Sequence, residues 1–322
     1  MINTNPPQTD PLPPDPLPAG VAPPPLSRWQ RFWAFPITRI VLYLLLFAAI
    51  TAALSFALDG VLHLLHHRPG HNKQLGAFPG EGLAVASALL AFWIMVRFVD
   101  RRPWATAGFN LGRLPAQLGG GFALGAAMLT VGVGTLALLG MYHVTTVVPS
   151  VLVLVPLGLY LCIAVFEETY FRGYIFQTLE GRWGSGIALG VTSLVFGLAH
   201  LANPTPGATR LQHLVGPLQL CLEAGLPMGA AYLLTQRWWL PIGMHWAWDY
   251  FEGPIFGCPD SGTHDPHTLL HAVLSGPSFV TGGPFGPEAG VVFLAVGTLT
   301  GVLLLWAAVR WGQWRAMPGR AK

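Results

Sequence analysis

VPSVLVLVPLGLYLCIAVFEETYFRGYIF, residues 148–176, decides the fold. Its first 19 residues, 148–166, carry no charge, and the stretch exceeds the roughly 20 apolar residues that a helix needs to cross a bilayer. It has no polar face that a soluble helix could turn to water. Glu167, Glu168 and Arg172 then follow inside the same span. Ionisable groups at such depth are costly to keep and usually mark function.

Outward from this stretch lie seven more apolar segments, at 36–58, 81–98, 118–140, 185–203, 213–235, 239–257 and 289–310. The second is short and the seventh polar. Of the 322 residues, 52% are hydrophobic and only 10% are charged, against about 25% in a soluble domain. Two soluble domains, which the length alone would suggest, are excluded, because their surfaces need more charge. The expected fold is an all-α polytopic membrane protein of about eight transmembrane helices. Gly119, Gly120, Gly121 and Gly125 open the third span and would let another helix approach closely.

Residues 1–33 differ in kind. Ten of the first 26 are proline, with no apolar run and no signal-peptide pattern, which predicts a disordered cytoplasmic tail before a membrane domain at 34–316. The net charge is +3 and the basic residues are dispersed, which argues against a nucleic-acid partner. The three cysteines have neither metal spacing nor a disulfide pattern.

The 17 Lys and Arg residues orient the map. Arg28, Arg31, Arg39, Arg97, Arg101, Arg102, Arg113, Arg172, Arg182, Arg237, Arg310, Arg315, Arg320 and Lys322 fall on one side, and only Arg68, Lys73 and Arg210 on the other. The positive-inside rule predicts that both termini are cytoplasmic and that 258–288 is an outer loop. That loop has Asp260, His264, Asp265, His267, His271 and Glu288, and its run from Ser275 to Glu288 reads as turns. Its histidines, like His63, His66, His67 and His71 in the first outer loop, could bind a metal. A polar loop is the plainer reading, since no helix fixes their geometry.

Polar residues inside spans cluster in the second half: Glu167, Glu168 and Arg172 in the fourth span, His200 at the end of the fifth, His213 and Glu223 in the sixth, and His245, Asp249 and Glu252 in the seventh. They predict a four-helix polar core. Glu168 and Arg172, Phe196 and His200, and His245 and Asp249 are each i,i+4 and share a helical face. A turn near Trp183-Gly184 places Glu167, 17 residues before Gly184, level with His200, 16 residues after it. His245 follows Trp238-Trp239 too closely for this register. Either that hairpin extends into the cytoplasm or the seventh helix starts deep in the membrane. The pair Glu168–Arg172 reads as structural packing. Glu167, His200 and His245 are harder to explain so, with no cation assigned to them.

Three motifs occur in order on successive apolar segments. Glu167-Glu168-Thr169-Tyr170-Phe171-Arg172 fits E-E-x-x-x-R, Phe196-Gly197-Leu198-Ala199-His200 fits F-x-x-x-H, and His245-Trp246-Ala247-Trp248-Asp249 fits H-x-x-x-N/D. Together they resemble the CPBP family of intramembrane glutamic endopeptidases, which includes the type 2 CAAX prenyl proteases and the bacterial Abi proteins. The resemblance implies peptide-bond hydrolysis without a cofactor or metal. Glu167 and His200 would activate a water, and His245 and Asp249 would stabilise the oxyanion. Glu168, Arg172 and Phe196 would support them. Asp249 stands where Asn serves more naturally, because an ionised carboxylate repels an oxyanion. It must then be protonated or act by orienting His245.

The chemistry also follows without the family. Amide hydrolysis needs a base for water and a donor for the developing oxyanion. No Ser or Cys is placed in a recognised nucleophile pattern beside these histidines. Three other readings stay open: a zinc protease with Glu167, His200 and His245 as ligands, a proton-coupled transporter, and an inactive peptide-binding scaffold. The expected partners are the lipid bilayer and a peptide or membrane-protein substrate, prenylated or not. The expected location is a bacterial inner membrane.

Overall fold

The computed structural model describes residues 27–64 and 73–317. Most of the expected tail, 1–26, lies outside them, and its last residues begin a short helix, α1 (Arg28–Ala34). His66, His67, His71 and Arg68, with Arg320 and Lys322, also lie outside.

The chain is an all-α polytopic membrane protein. The helices are α2 (Pro36–Leu64), α3 (Lys73–Ile94), α4 (Leu114–Leu138), α5 (Val155–Glu168), α6 (Gln177–Ala199), α7 (Arg210–Leu220), α8 (Leu226–Thr235), α9 (Trp239–Tyr250), the single turn α10 (Ser278–Thr281) and α11 (Val291–Arg310). Proline sits in the first turn of α4, α5 and α8, where its missing N–H leaves no intrahelical bond unmade. Thr209 and Gln212 form a reciprocal capping box that starts α7.

Six helical runs are long and apolar enough to span: Pro36–Leu64, Ala77–Val99, Leu111–Leu138, Val151–Ala202, Arg210–Thr235 and Val291–Arg310. The fourth contains two expected spans, 148–176 and 185–203. Gly184, at φ 79 and ψ 171, breaks it at the turn read from the sequence. A residue with a Cβ would be strained there and would also meet the backbone of residues 315–317, so the position requires glycine. The two halves fold back on each other, because the Arg172 guanidinium lies 4.8 Å from the centre of the Phe196 ring. Each of those residues is 12 positions from Gly184.

The seventh expected span, 239–257, needs correction. It is a short interior helix, α9, continued by a π-helical turn, Phe251–Ile255. Nearly all of α9 is buried, packed among α4, α5 and α8. The turn before it is roofed by the segment after α3. The Trp239 indole donates to the Asn110 carbonyl at 2.8 Å, and Trp238 packs on Phe92 and Phe109. The start of α9 is thus covered by protein, whatever its depth in the bilayer.

Gly121, Gly125 and Gly243 make the α4–α9 crossing. A Cβ on any of them would strike backbone of the other helix: Leu240, Met244 or Leu118. Gly119 and Gly120 face open space, so only part of the expected glycine cluster serves this approach. A two-stranded antiparallel sheet, β1 (Tyr142–Val147) with β2 (Leu270–Leu274), closes the end that carries the 258–288 loop.

Candidate active site

A cavity of about 340 Å³ lies between α5, α6, α7–α8 and α9. Glu167, Phe196, His200, His245 and Asp249 all line it, so residues drawn from three separate motifs share one chamber. The four segments that supply its walls are the expected polar core.

Glu168 organises the back wall. Its Oε1 accepts from Arg172 Nη1 at 2.7 Å and from His245 Nδ1 at 3.0 Å. Both Glu168 and Arg172 are wholly buried. Arg172 also donates from Nη2 to the Gly225 carbonyl at 3.1 Å and lies over Phe196. The pair is thus more than packing, because it fixes the ring of His245. A carboxylate that already accepts from Arg172 leaves Nδ1 of His245 as an N–H donor. Nε2 then points to the chamber, 3.8 Å from Glu167 Oε2 and 3.6 Å from Asp249 Oδ2.

His200 is set in the same manner by a different partner. Its Nδ1 lies 2.9 Å from the Phe196 carbonyl, which can only accept, so this nitrogen carries the proton and Nε2 is left as the acceptor. Phe196 separates the two imidazoles, with ring centres 5.0 Å from His200 and 5.8 Å from His245. Glu167 Oε2 is buried and accepts no hydrogen bond from the described residues.

A π-helical segment, Thr169–Phe176, follows the two glutamates directly, and others contain Glu223 and Glu252. Such segments interrupt the regular 3.6-residue register and are frequent at functional sites.

The sequence reading missed several lining residues. Glu81 of α3 lines the chamber, as do Asp260, Ser261 and Glu288 of the region read as a polar outer loop. Glu288 is 1% exposed, with its carboxylate accepting from the Ser261 hydroxyl at 2.6 Å and from the Trp248 indole at 3.4 Å. Burial pushes the Asp260 carboxyl well above its ordinary range, and Asp249 and Glu288 push it the same way. Burial also raises Glu288, opposed by its hydrogen bond from Ser261 and by His200. The loop histidines do not converge. Among the described residues one set of three converges closely enough to hold a metal ion: Glu252, Asp260 and Glu288. Glu167, His200 and His245 are not such a set.

Residues 149–251 match the type II CAAX prenyl endopeptidase Rce1-like family. The match agrees with the CPBP/CAAX protease family that the three motifs resemble. It takes in all three motifs, from α5 to the end of α9, and covers 103 of the 322 residues. No curated protein and no solved structure matches the chain. The chain is an integral membrane protein, and its matched region indicates a protease, which acts on a peptide or protein.

Proposed function

We propose that this protein is an intramembrane glutamic endopeptidase in which Glu167, assisted by His200, activates a water, and His245 stabilises the oxyanion. One observation carries this reading. Both imidazoles are anchored through Nδ1, so both present Nε2 to the chamber where Glu167 Oε2 lacks a donor among the described residues. A water held by Glu167 and His200 can pass a proton to the carboxylate as it attacks a carbonyl carbon. His245 faces carboxylates from both nitrogens and is placed to hold a second proton, on Nε2, which it donates to the developing oxyanion. Asp249 supports that proton from 3.6 Å. Asp249 therefore acts as a positioning residue, which removes the conflict between a carboxylate and an oxyanion. In this reading Glu168, Arg172 and Phe196 hold the machinery, and the protease domain spans 34–316.

Glu167→Gln keeps the shape of the side chain but removes the base. We expect it to lower peptide hydrolysis by about 10²–10⁴-fold, the usual contribution of a general base, with the unfolding temperature unchanged. Activity equal to wild type in folded Glu167→Gln would defeat the assignment. The zinc reading makes a different prediction: stoichiometric zinc, with activity lost to a zinc-selective chelator and restored by zinc. The donor geometry at Glu167, His200 and His245 does not favour it. The natural location proposed is a bacterial inner membrane with both termini cytoplasmic.

A further inference from the structure

At the wall of the catalytic chamber, and just behind it, lies a group of carboxylates that the hydrolytic mechanism does not use. Glu252 comes from the π-helical turn after α9, Asp260 from the following loop, and Glu288 from the 3-10 turn before α11. One oxygen of each lies within 4.8 Å of the others. Glu252 is 0% exposed, and neither of its oxygens has a hydrogen-bond partner among the described residues. Glu223 adds an independent sign. It reaches the group from the π-helical turn between α7 and α8, is also fully buried with both oxygens unpartnered, and interacts electrostatically with Glu252 and Glu288.

Among the described residues no Lys or Arg pairs with this group. No Lys or Arg occurs between Arg237 and Arg310, and none of the ion pairs of the described residues involves Glu252, Asp260 or Glu288. Converging carboxylates without a counter-charge are expensive to bury. We infer that Glu252, Asp260 and Glu288 form a binding site for a calcium-sized divalent cation, which ties the loop after α9 and the start of α11 to the floor of the catalytic chamber.

Ligand type and spacing select the ion. Carboxylate oxygens alone suit hard cations such as Ca²⁺, Mg²⁺ and Mn²⁺, not zinc. Calcium–oxygen bonds of about 2.3–2.6 Å put opposite ligands about 4.6–5.2 Å apart, so these oxygens can close on Ca²⁺ with little movement. Magnesium, at about 2.0–2.1 Å, would draw them closer and demand octahedral geometry. The Pro259 carbonyl is a further oxygen close by. Gly286, at φ 120, lies against it and would place a Cβ 3.4 Å from Glu252 Oε1. A cationic substrate group fits less well, because Asp260 and Glu288 line the chamber but Glu252 lies behind its surface.

The site does not depend on the proposed hydrolytic mechanism, and its test reads binding, not turnover. Full-length protein in detergent is stripped with EGTA and titrated with Ca²⁺, and its unfolding temperature is measured. In parallel, Tb³⁺ is added as a luminescent calcium substitute, with Trp248 beside Glu288 as the sensitising indole. We expect Ca²⁺ to raise the unfolding temperature and to quench the Tb³⁺ signal by displacement. Both effects should be lost in Glu252→Gln and in Asp260→Asn, the latter a loop residue chosen in case the buried variant does not fold. Trp248→Phe should lose luminescence but keep the Ca²⁺ shift. No shift and no displaceable luminescence up to about 10 mM, beyond the weak end of oxygen-ligand sites, would overturn the inference. So would a full Ca²⁺ response in Glu252→Gln and Asp260→Asn, since the ion would then bind elsewhere.

Discussion

Glu168 Oε1 carries Arg172 on one side and His245 on the other, so one oxygen links an ion pair to the imidazole proposed to stabilise the oxyanion. Removing Arg172 leaves a buried carboxylate without its cation, a change that costs about 3–5 kcal/mol in known cases. Arg172→Ala should therefore lower the unfolding temperature as well as activity. Retained stability with complete loss of turnover would point to a direct role for the guanidinium. Asp249 gives the second test at this scale. If it positions the Nε2–H of His245, Asp249→Asn should keep substantial hydrolysis, because the amide oxygen still accepts, whereas Asp249→Ala should not. Equal loss in both folded variants would instead require a charged group at 249. The i,i+4 pairs and the meeting of Glu167 and His200 at one chamber were readable in the sequence, because each depends on helical geometry and one hairpin. The bond from His245 to Glu168 was not, since it joins residues 77 positions apart on helices whose rotation no local spacing fixes. Glu288 was hidden by its neighbourhood of Gly and Pro, which reads as exposed turns although the carboxylate is 1% exposed.

Helices α4 and α9 meet at their backbones, and that contact holds His245 and Asp249 against the chamber. The glycines there differ sharply in what surrounds them. Gly243→Ala would push a methyl group into the Leu118 carbonyl and the Phe122 amide. Overpacking of this kind typically costs about 1–3 kcal/mol, so the unfolding temperature should fall and activity with it. Gly119→Ala, with nothing within 4 Å, should be neutral or stabilising by up to about 1 kcal/mol through helix propensity. If both substitutions behave alike in a thermal melt, the crossing is not as close as described. The sequence showed a glycine-rich start to the third span but could not separate the two glycines that face α9 from the two that face outward. It also overstated the seventh span. A 12-residue helix that begins at Trp239 and runs on into the turn Phe251–Ile255 has the composition of a membrane crossing, and only its partners show that it is buried in protein. The strands β1 and β2 were missed for a related reason. β1 is rich in β-branched residues, Val144 to Val147, but its partner β2 holds only Val273, and each strand is stable only because the other lies beside it.

The two ends of the molecule carry different chemistry. At one end Arg39 and Arg102 pair with Asp100 at 3.0 and 3.4 Å, and Arg315 pairs with Glu180 near the Gly184 turn. At the other end lie β1, β2 and the loop with Asp260 and Ser261, beside the chamber. Arg172 should be set aside from the positive-inside count, because it is wholly buried and held by Glu168. The distribution is then thirteen (14 − 1) against three, and it still predicts a cytoplasmic basic end. On that orientation Asp260 and Ser261, which line the chamber, lie toward the outer face, and we expect a substrate passing this loop to arrive from the extracytoplasmic side and not as a prenylated cytoplasmic tail. Cysteine labelling can decide this, but not through the native thiol of Cys258, which is 2% exposed and pushed up to about 12 by burial. His264 is exposed in the same loop and is the better site. With all three native cysteines replaced, His264→Cys in intact cells should react with a membrane-impermeant maleimide from outside. Labelling only after the cytoplasmic face is opened would invert the map. The same result would bring a cytoplasmic prenyl peptide within reach of the chamber, so orientation and substrate class stand or fall together.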